Sequence, residues 1–319
     1  MDTIRQTTRS TDGDDAGHTR RGLLKCMMWA GTGILWAVSG GIPRAVGLGG
    51  DAAAAPAAGF SFVQISDSRI GFKGQPNPDP GATLQEALAK VAALPNKPAL
   101  MLHTGDVTHL SKPDQFDTAA QIMGTARLDT HYIPGEHDVI GDDGKQFFAR
   151  FGAKGAADGG WYSFDHGGVH FVALVNVLNF TLGTGGTLGK AQLEWLEGDL
   201  KGRSASTPIV VMAHIPMWPI YPQWGWTTGD AGQAFANLRR FGSVTVLNGH
   251  IHQVVQKVED KMTFHTALST AFPQPVAGQA PSPGPLKVPA DRLKAMLGVR
   301  EIDYRPATGL AVADRTLAA

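Results

Sequence analysis

Apolar and polar positions along the chain alternate between two periods. Residues 60–66, 99–103, 131–133, 208–213 and 243–247 are short runs of apolar and β-branched side chains, each stopping at a polar or turn-forming cluster; runs of this kind predict buried strands. Between the first two, Leu84, Ala87, Leu88 and Val91 recur at helical spacing behind the capping box of Thr83 and Glu86. Residues 114–123 and 192–200 predict two further helices, the latter carried by Leu193, Leu196 and Leu200. Residues 161–164 and 169–175 flank Asp165-His166-Gly167-Gly168, which reads as a hairpin. Segments 253–258 and 262–267 read as a continuing meander, the Pro- and Gly-rich stretch 272–289 as a surface segment, 291–297 as a short helix, and the chain near Ile302 and Leu310 as closing strands. Strands separated by helices predict βαβ topology, whose ligand sites lie beyond the carboxyl ends of the strands.

Composition narrows the chemistry. Lys plus Arg and Asp plus Glu are both 28, so no charge excess points to a nucleic-acid or membrane-surface partner. Cys26 is the only cysteine of the 319 residues, which excludes an intrachain disulfide and a thiolate metal cluster. Any metal must be held by His, Asp, Glu or Asn.

The first 58 residues read as a leader. A polar stretch precedes Arg20-Arg21-Gly22-Leu23-Leu24-Lys25, a glycine-interrupted apolar run and an alanine-rich tract ending at Gly59. Basic flank, apolar segment and small-residue zone in that order predict an export signal. The paired arginines resemble the twin-arginine motif, implying the export machinery as a partner and a periplasmic or extracellular location. Cys26 opens the apolar run, which argues against lipoprotein attachment, and the glycines make a stable membrane span unexpected. Residues 59–319 are then read as one domain.

The polar residues at the strand ends are Asp67, Asp106, Glu136, His137, His214, His250 and His252. In extended backbone, residues two apart point to the same side, so His250 and His252 leave their strand as two imidazoles aimed together. Gly249 lets the chain turn close to whatever they hold. Singly, each has a bland reading: Asp67 and Asp106 as helix caps, His214 as a satisfied core histidine.

Together, Asp67-Ser68-Arg69, Gly105-Asp106, Gly135-Glu136-His137-Asp138, His214 and Gly249-His250-Ile251-His252 resemble, in order, the motifs of the calcineurin-like metallophosphoesterase family. The resemblance spans residues 60–270 and implies a four-layer α/β/β/α sandwich. It also implies two transition-metal ions (Mn, Fe or Zn, divalent or mixed-valence) and hydrolysis of a small-molecule phosphoester, favouring a phosphodiester, by metal-bound hydroxide. By resemblance, Asp106 bridges the ions, Asp67 and His252 hold the first, Glu136, His214 and His250 hold the second, and His137 serves the leaving group.

Two positions depart from the family pattern. Arg69 stands where the family has His, and a guanidinium cannot ligate a metal; Glu136 stands where it has Asn. Either Arg69 contacts the substrate phosphate while Glu136 offsets its charge, or Arg69 leaves a one-metal site. A non-catalytic binding protein, degenerate at Arg69, is the alternative of another class. His103 and His109 flank Asp106 and are candidate supports of the ligands, whereas His265 is read as structural. Trp218, Tyr221, Trp224 and Trp226 follow His214 and are candidates for a substrate rim, with loop packing as the plainer role.

Overall fold

The computed structural model describes residues 59–318, together with two strands, β1 (Ile34–Ser39) and β2 (Ile42–Gly47), which pair antiparallel. The paired arginines and, apart from β1 and β2, the rest of the leader lie outside the described residues. The chain divides between Pro56 and Ala57 into two units.

The second unit, Ala57–Ala319, is built on two mixed sheets stacked face to face. The first sheet has the order β13-β12-β3-β4-β5, with β3 (Phe60–Ile65), β4 (Met101–His103) and β5 (Thr130–Tyr132) parallel and β12 (Gly298–Arg305) and β13 (Gly309–Thr316) antiparallel. The second has the order β10-β11-β9-β8-β7-β6. Its parallel centre is β7 (Val169–Ala173), β8 (Ile209–Met212), β9 (Val244–Asn248) and β11 (Met262–Thr266); β6 (Tyr162–His166) and β10 (Gln256–Glu259) are the antiparallel edges.

The two-residue period of the strands sorts side chains between layers. Phe62, Leu102, Phe171, Ala173, Val210, Met212, Leu247 and Ile302 point inward and form the apolar layer between the sheets. Their neighbours Val63, Ile65 and Met101 point outward, beneath the helices α1 (Pro80–Ala92), α2 (Pro113–Gly124) and α3 (Lys145–Phe151). Likewise Val172, Ile209, Val211, Val244 and Val246 lie beneath α4 (Lys190–Leu200) and α5 (Ala231–Leu238). Truncating a fully buried ring such as Phe62 costs roughly 3–5 kcal/mol in a layer of this kind. The result is the four-layer sandwich that the resemblance implies.

Three local expectations need correction. Helix α1 begins before Thr83: Pro80 takes its first position and the Asp79 carboxylate accepts from Ala82 N–H at 3.1 Å, while Thr83 Oγ1 accepts from Asn77 Nδ2 instead of capping. Strands β10 and β11 do not continue a meander. The chain skips one strand position to reach the edge and returns, so β11 lies parallel to β9. The Pro- and Gly-rich segment does not start on the surface, since residues 271–275 are buried beside the ends of β9 and β3. The closing helix is α6 (Ala290–Leu293), continued by a 3₁₀ turn over Lys294–Met296.

Candidate metal centre

Five strand ends converge at one edge of the sandwich. The turn after β3 carries Asp67 and Arg69, that after β4 Asp106, and that after β5 Glu136 and His137; β8 leads into His214 and β9 into His250 and His252. Asp67, Arg69, Asp106, His250 and His252 have φ between +49° and +69°, and they are five of the nine non-glycine residues in the left-handed region among the described residues. Each costs on the order of 1–2 kcal/mol, so the fold spends local stability to aim these side chains. Gly249 permits the close approach: a Cβ there would stand 2.1 Å from Ser66 Oγ and 2.7 Å from Asp67 Oδ2.

Backbone carbonyls fix the imidazoles. His214 Nδ1 donates to Thr104 O at 2.7 Å, His252 Nδ1 to Phe272 O at 2.6 Å, and His137 Nδ1 to His109 O at 2.7 Å. In the neutral ring each such bond leaves the Nε2 lone pair pointing the other way. His214 Nε2 faces Glu136 Oε2 at 2.9 Å and Asp106 Oδ2 at 3.5 Å, and His252 Nε2 faces Asp67 Oδ1 at 3.1 Å. His250 turns Nδ1 toward Glu136 at 3.0 Å.

A cation must therefore lie among these imidazoles and carboxylates, either a proton held between His214 or His250 and Glu136 or a metal ion. Asp67 Oδ1, Asp106 Oδ2, His214 Nε2, His250 Nε2 and His252 Nε2 are all buried without a hydrogen-bond partner. Candidate ligand atoms fall within 4.8 Å of one another in the sets Glu136, His214, His250 and Asp67, Asp106, His214. The electrostatics agree. Burial resists charge on His214, yet the carboxylates of Asp106 and Glu136 overcome it and raise its pKa well above the ordinary value. Burial likewise resists ionisation of Glu136, which the facing His250 and His214 hold well below the usual carboxylate range. The cluster's chemistry fits metal ions: hard carboxylate oxygens with borderline imidazole nitrogens suit Mn, Fe or Zn.

Residues 60–254, more than half of the chain, match the calcineurin-like phosphoesterase family model. The chain belongs to the calcineurin-like phosphoesterase family. It is similar to human acid phosphatase type 7, 32% identical over a 127-residue alignment that covers 37% of this chain and 29% of the human protein. It is also similar to a 3′,5′-cyclic-nucleotide phosphodiesterase of Nostoc, 24% identical over 54% of this chain and 63% of that one. The match thus spans less than a third of the human relative and under two thirds of the cyanobacterial one. In fold it is similar to a purple acid phosphatase from yellow lupin seeds, with a TM-score of 0.62 and 15% identity over 82% of this chain and 52% of the lupin chain.

In this calcineurin-like phosphoesterase, Arg69 is drawn into the cluster. Its Nη2 lies 3.1 Å from Asp106 Oδ2, its Nε is buried without a partner, and its guanidinium lies 5.5 Å from the centre of the Phe272 ring. Burial resists ionisation of Asp106, and the guanidinium is the largest influence holding its pKa below the usual range. Asp106 Oδ1 accepts from His137 N–H at 2.9 Å. His109 stacks on His137 with ring centres 5.2 Å apart, and burial, then the charges of His137 and Arg69, lower its pKa to about 4. His103 is fully buried: Nδ1 accepts from Gly105 N–H, Nε2 donates to Ser68 Oγ, and burial lowers its pKa to about 4.

The rim residues separate. Trp224 and Trp226 line a cavity of about 260 Å³ that opens onto Arg69, Glu136, His137 and His250. Trp218 does not: it packs against Phe264 in the layer beneath α5. Tyr221 packs on Trp224 and beside Gly278, away from the cavity lining. His265 lies in β11, outside the cluster. Sequence reasoning missed Phe180, Leu182, Phe272 and Gln274, which also line the cavity. Gln274 Nε2 donates to His250 O at 2.6 Å, so the Pro- and Gly-rich segment braces the His-x-His turn. The one available signal was Phe180 and Leu182, apolar residues isolated in a glycine-rich stretch.

Proposed function

We propose that this chain is a metal-dependent phosphoesterase acting on a small phosphodiester. The observation that carries this reading is the convergence of five buried ligand atoms without hydrogen-bond partners, on Asp67, Asp106, His214, His250 and His252, of which Asp106 Oδ2 also ion-pairs with Arg69. Glu136, His214 and His250, with Asp106, would hold one ion; Asp67 and His252, with Asp106, would hold another beside Arg69. A bound transition-metal ion supplies Lewis acidity at a phosphoryl oxygen and lowers the pKa of water.

The chain's own groups do the rest. Arg69 lines the cavity and would bind a phosphoryl oxygen through its guanidinium, whose geometry suits phosphate. His137 also lines it, with Nδ1–H locked to a carbonyl, so Nε2 would carry the proton handed to the leaving oxygen. The His109 ring stacked on it fixes its plane. Among the described residues Arg69 is the only Lys or Arg in the lining, which supports a singly charged diester over a doubly charged monoester.

A panel of chromogenic mono- and diesters, assayed with Mn²⁺, Zn²⁺ or Fe²⁺ and after chelation, tests this. Metal-dependent diester turnover is expected, and His137→Asn is expected to lower kcat by about 10²–10⁴-fold. Turnover of monoesters alone would overturn the diester preference. No turnover with any metal would favour a binding protein of the same fold.

A further inference from the structure

We infer that the substrate carries a flat, uncharged ring beside its phosphoryl group, seated against Phe180 and Leu182 in a cavity backed by the buried Trp224, Trp226 and Phe272. This rests on the phosphoester reading and names the class of ester. The cavity wall changes from polar to apolar within one side chain of the cluster. Phe180 meets His250 edge-on with ring centres 5.6 Å apart, and Phe272 holds its ring 4.8 Å from that of His252 and below the guanidinium of Arg69. A phosphoryl group engaged by Arg69 would therefore direct its substituent onto aromatic surface.

The wall is built by two interlocked loops. At Gly225, where φ is +76°, a Cβ would stand 2.8 Å from the Phe180 ring, so the turn between Trp224 and Trp226 is shaped around that ring. Gly186 N–H donates to Thr227 O at 3.0 Å and Gly229 N–H to Gly186 O at 2.9 Å, tying the loops together. Trp224 and Trp226 are themselves edge-to-face with ring centres 5.1 Å apart. Leu182, 61% exposed, extends the apolar surface to the mouth. Such a wall rewards a planar apolar group through burial and ring contacts.

Charge excludes the other common class of ester. Beyond the metal centre and His137, the lining offers one cation, Arg69, and one carboxylate, Glu136, so a second phosphate placed against the aromatic wall would have no counter-charge. Polyphosphates and sugar diphosphates are poor fits.

Binding of phosphonate monomethyl esters, which carry the single charge of a diester, to the metal-loaded full-length protein, measured by calorimetry, tests the inference without turnover; phenylphosphonate and methylphosphonate are used as these esters. Phenylphosphonate is expected to bind about tenfold or more tightly than methylphosphonate, reflecting burial of one ring. Phe180→Ala should narrow that ratio to about twofold. Leu182→Asp, at an exposed position with little bearing on folding, should narrow it in the same direction. A nucleoside 3′,5′-cyclic phosphorothioate binding more tightly than phenylphosphonate would identify the ring as a nucleobase, and the reverse order as a simple aryl group. Equal affinities for the phenyl and methyl compounds, or tighter binding of pyrophosphate than of phenylphosphonate, would overturn the inference alone. Failure of every phosphonate to bind would overturn the phosphoester reading itself.

Discussion

Arg69 is the residue on which the chemistry of the centre turns. A guanidinium would repel a divalent ion held beside it, and Asp67 and Asp106 would have to offset this before an ion settled next to Arg69. Glu136, His214 and His250 carry no such burden. The position at Asp67 and His252 is therefore expected to bind its ion more weakly. Replacing Arg69 with His should raise the metal retained after dialysis against a weak chelator by about one equivalent per chain, since an imidazole adds a ligand where a cation stood. Unchanged metal content in Arg69→His, with the variant folded, would show that position 69 has no bearing on the metal centre. The convergence of these side chains was legible in the sequence because each stands within a few residues of an apolar strand end, where register fixes direction. The contact of Arg69 with Asp106 was not, because a long side chain's endpoint depends on what packs around it.

At the scale of elements, strands were easier to read than the segments joining them. Alternating Phe62 and Val63, or Phe171 and Val172, report the two faces of a sheet directly. The parallel return of β11 beside β9 carries no such signal, because β10 and β11 have the same period whichever neighbour they choose. The loops bearing Phe180 and Phe272 are aperiodic, and their place over the site follows from tertiary packing alone. Strand β11 also makes the pH response testable. Burial, then the charge of Arg300, lowers the His265 pKa from 6.5 to about 4. The unfolded chain thus binds the proton more readily between those values. Stability from this group is fully present above about pH 6.5 and is lost as pH falls toward 4, by up to about 3 kcal/mol at 1.36 kcal/mol per unit. His265→Gln should therefore lose less stability than the parent between pH 7.5 and 4.5 in chemical denaturation, and parallel losses would contradict this.

At the scale of the whole molecule, the stacked sheets form a rigid frame that brings residues nearly two hundred positions apart, such as Asp67 and His252, within 3.1 Å. Among the described residues no helix is long and apolar enough to cross a membrane. We propose that the leader directs export of the folded chain, with Arg20-Arg21 read by the twin-arginine machinery. Lysine at both positions should leave the full-length precursor inside the cell by fractionation and immunoblotting, and undiminished export would contradict it. Folding before export would also allow the metal to be acquired inside the cell. The most direct test of the metal centre is elemental analysis of the purified protein without added metal, compared with His214→Ala. At least about one equivalent of Mn, Fe or Zn per chain is expected in the parent, falling severalfold in the variant. Less than about a tenth of an equivalent in the folded parent, with none taken up on titration, would mean that the buried imidazoles and carboxylates serve something other than a metal.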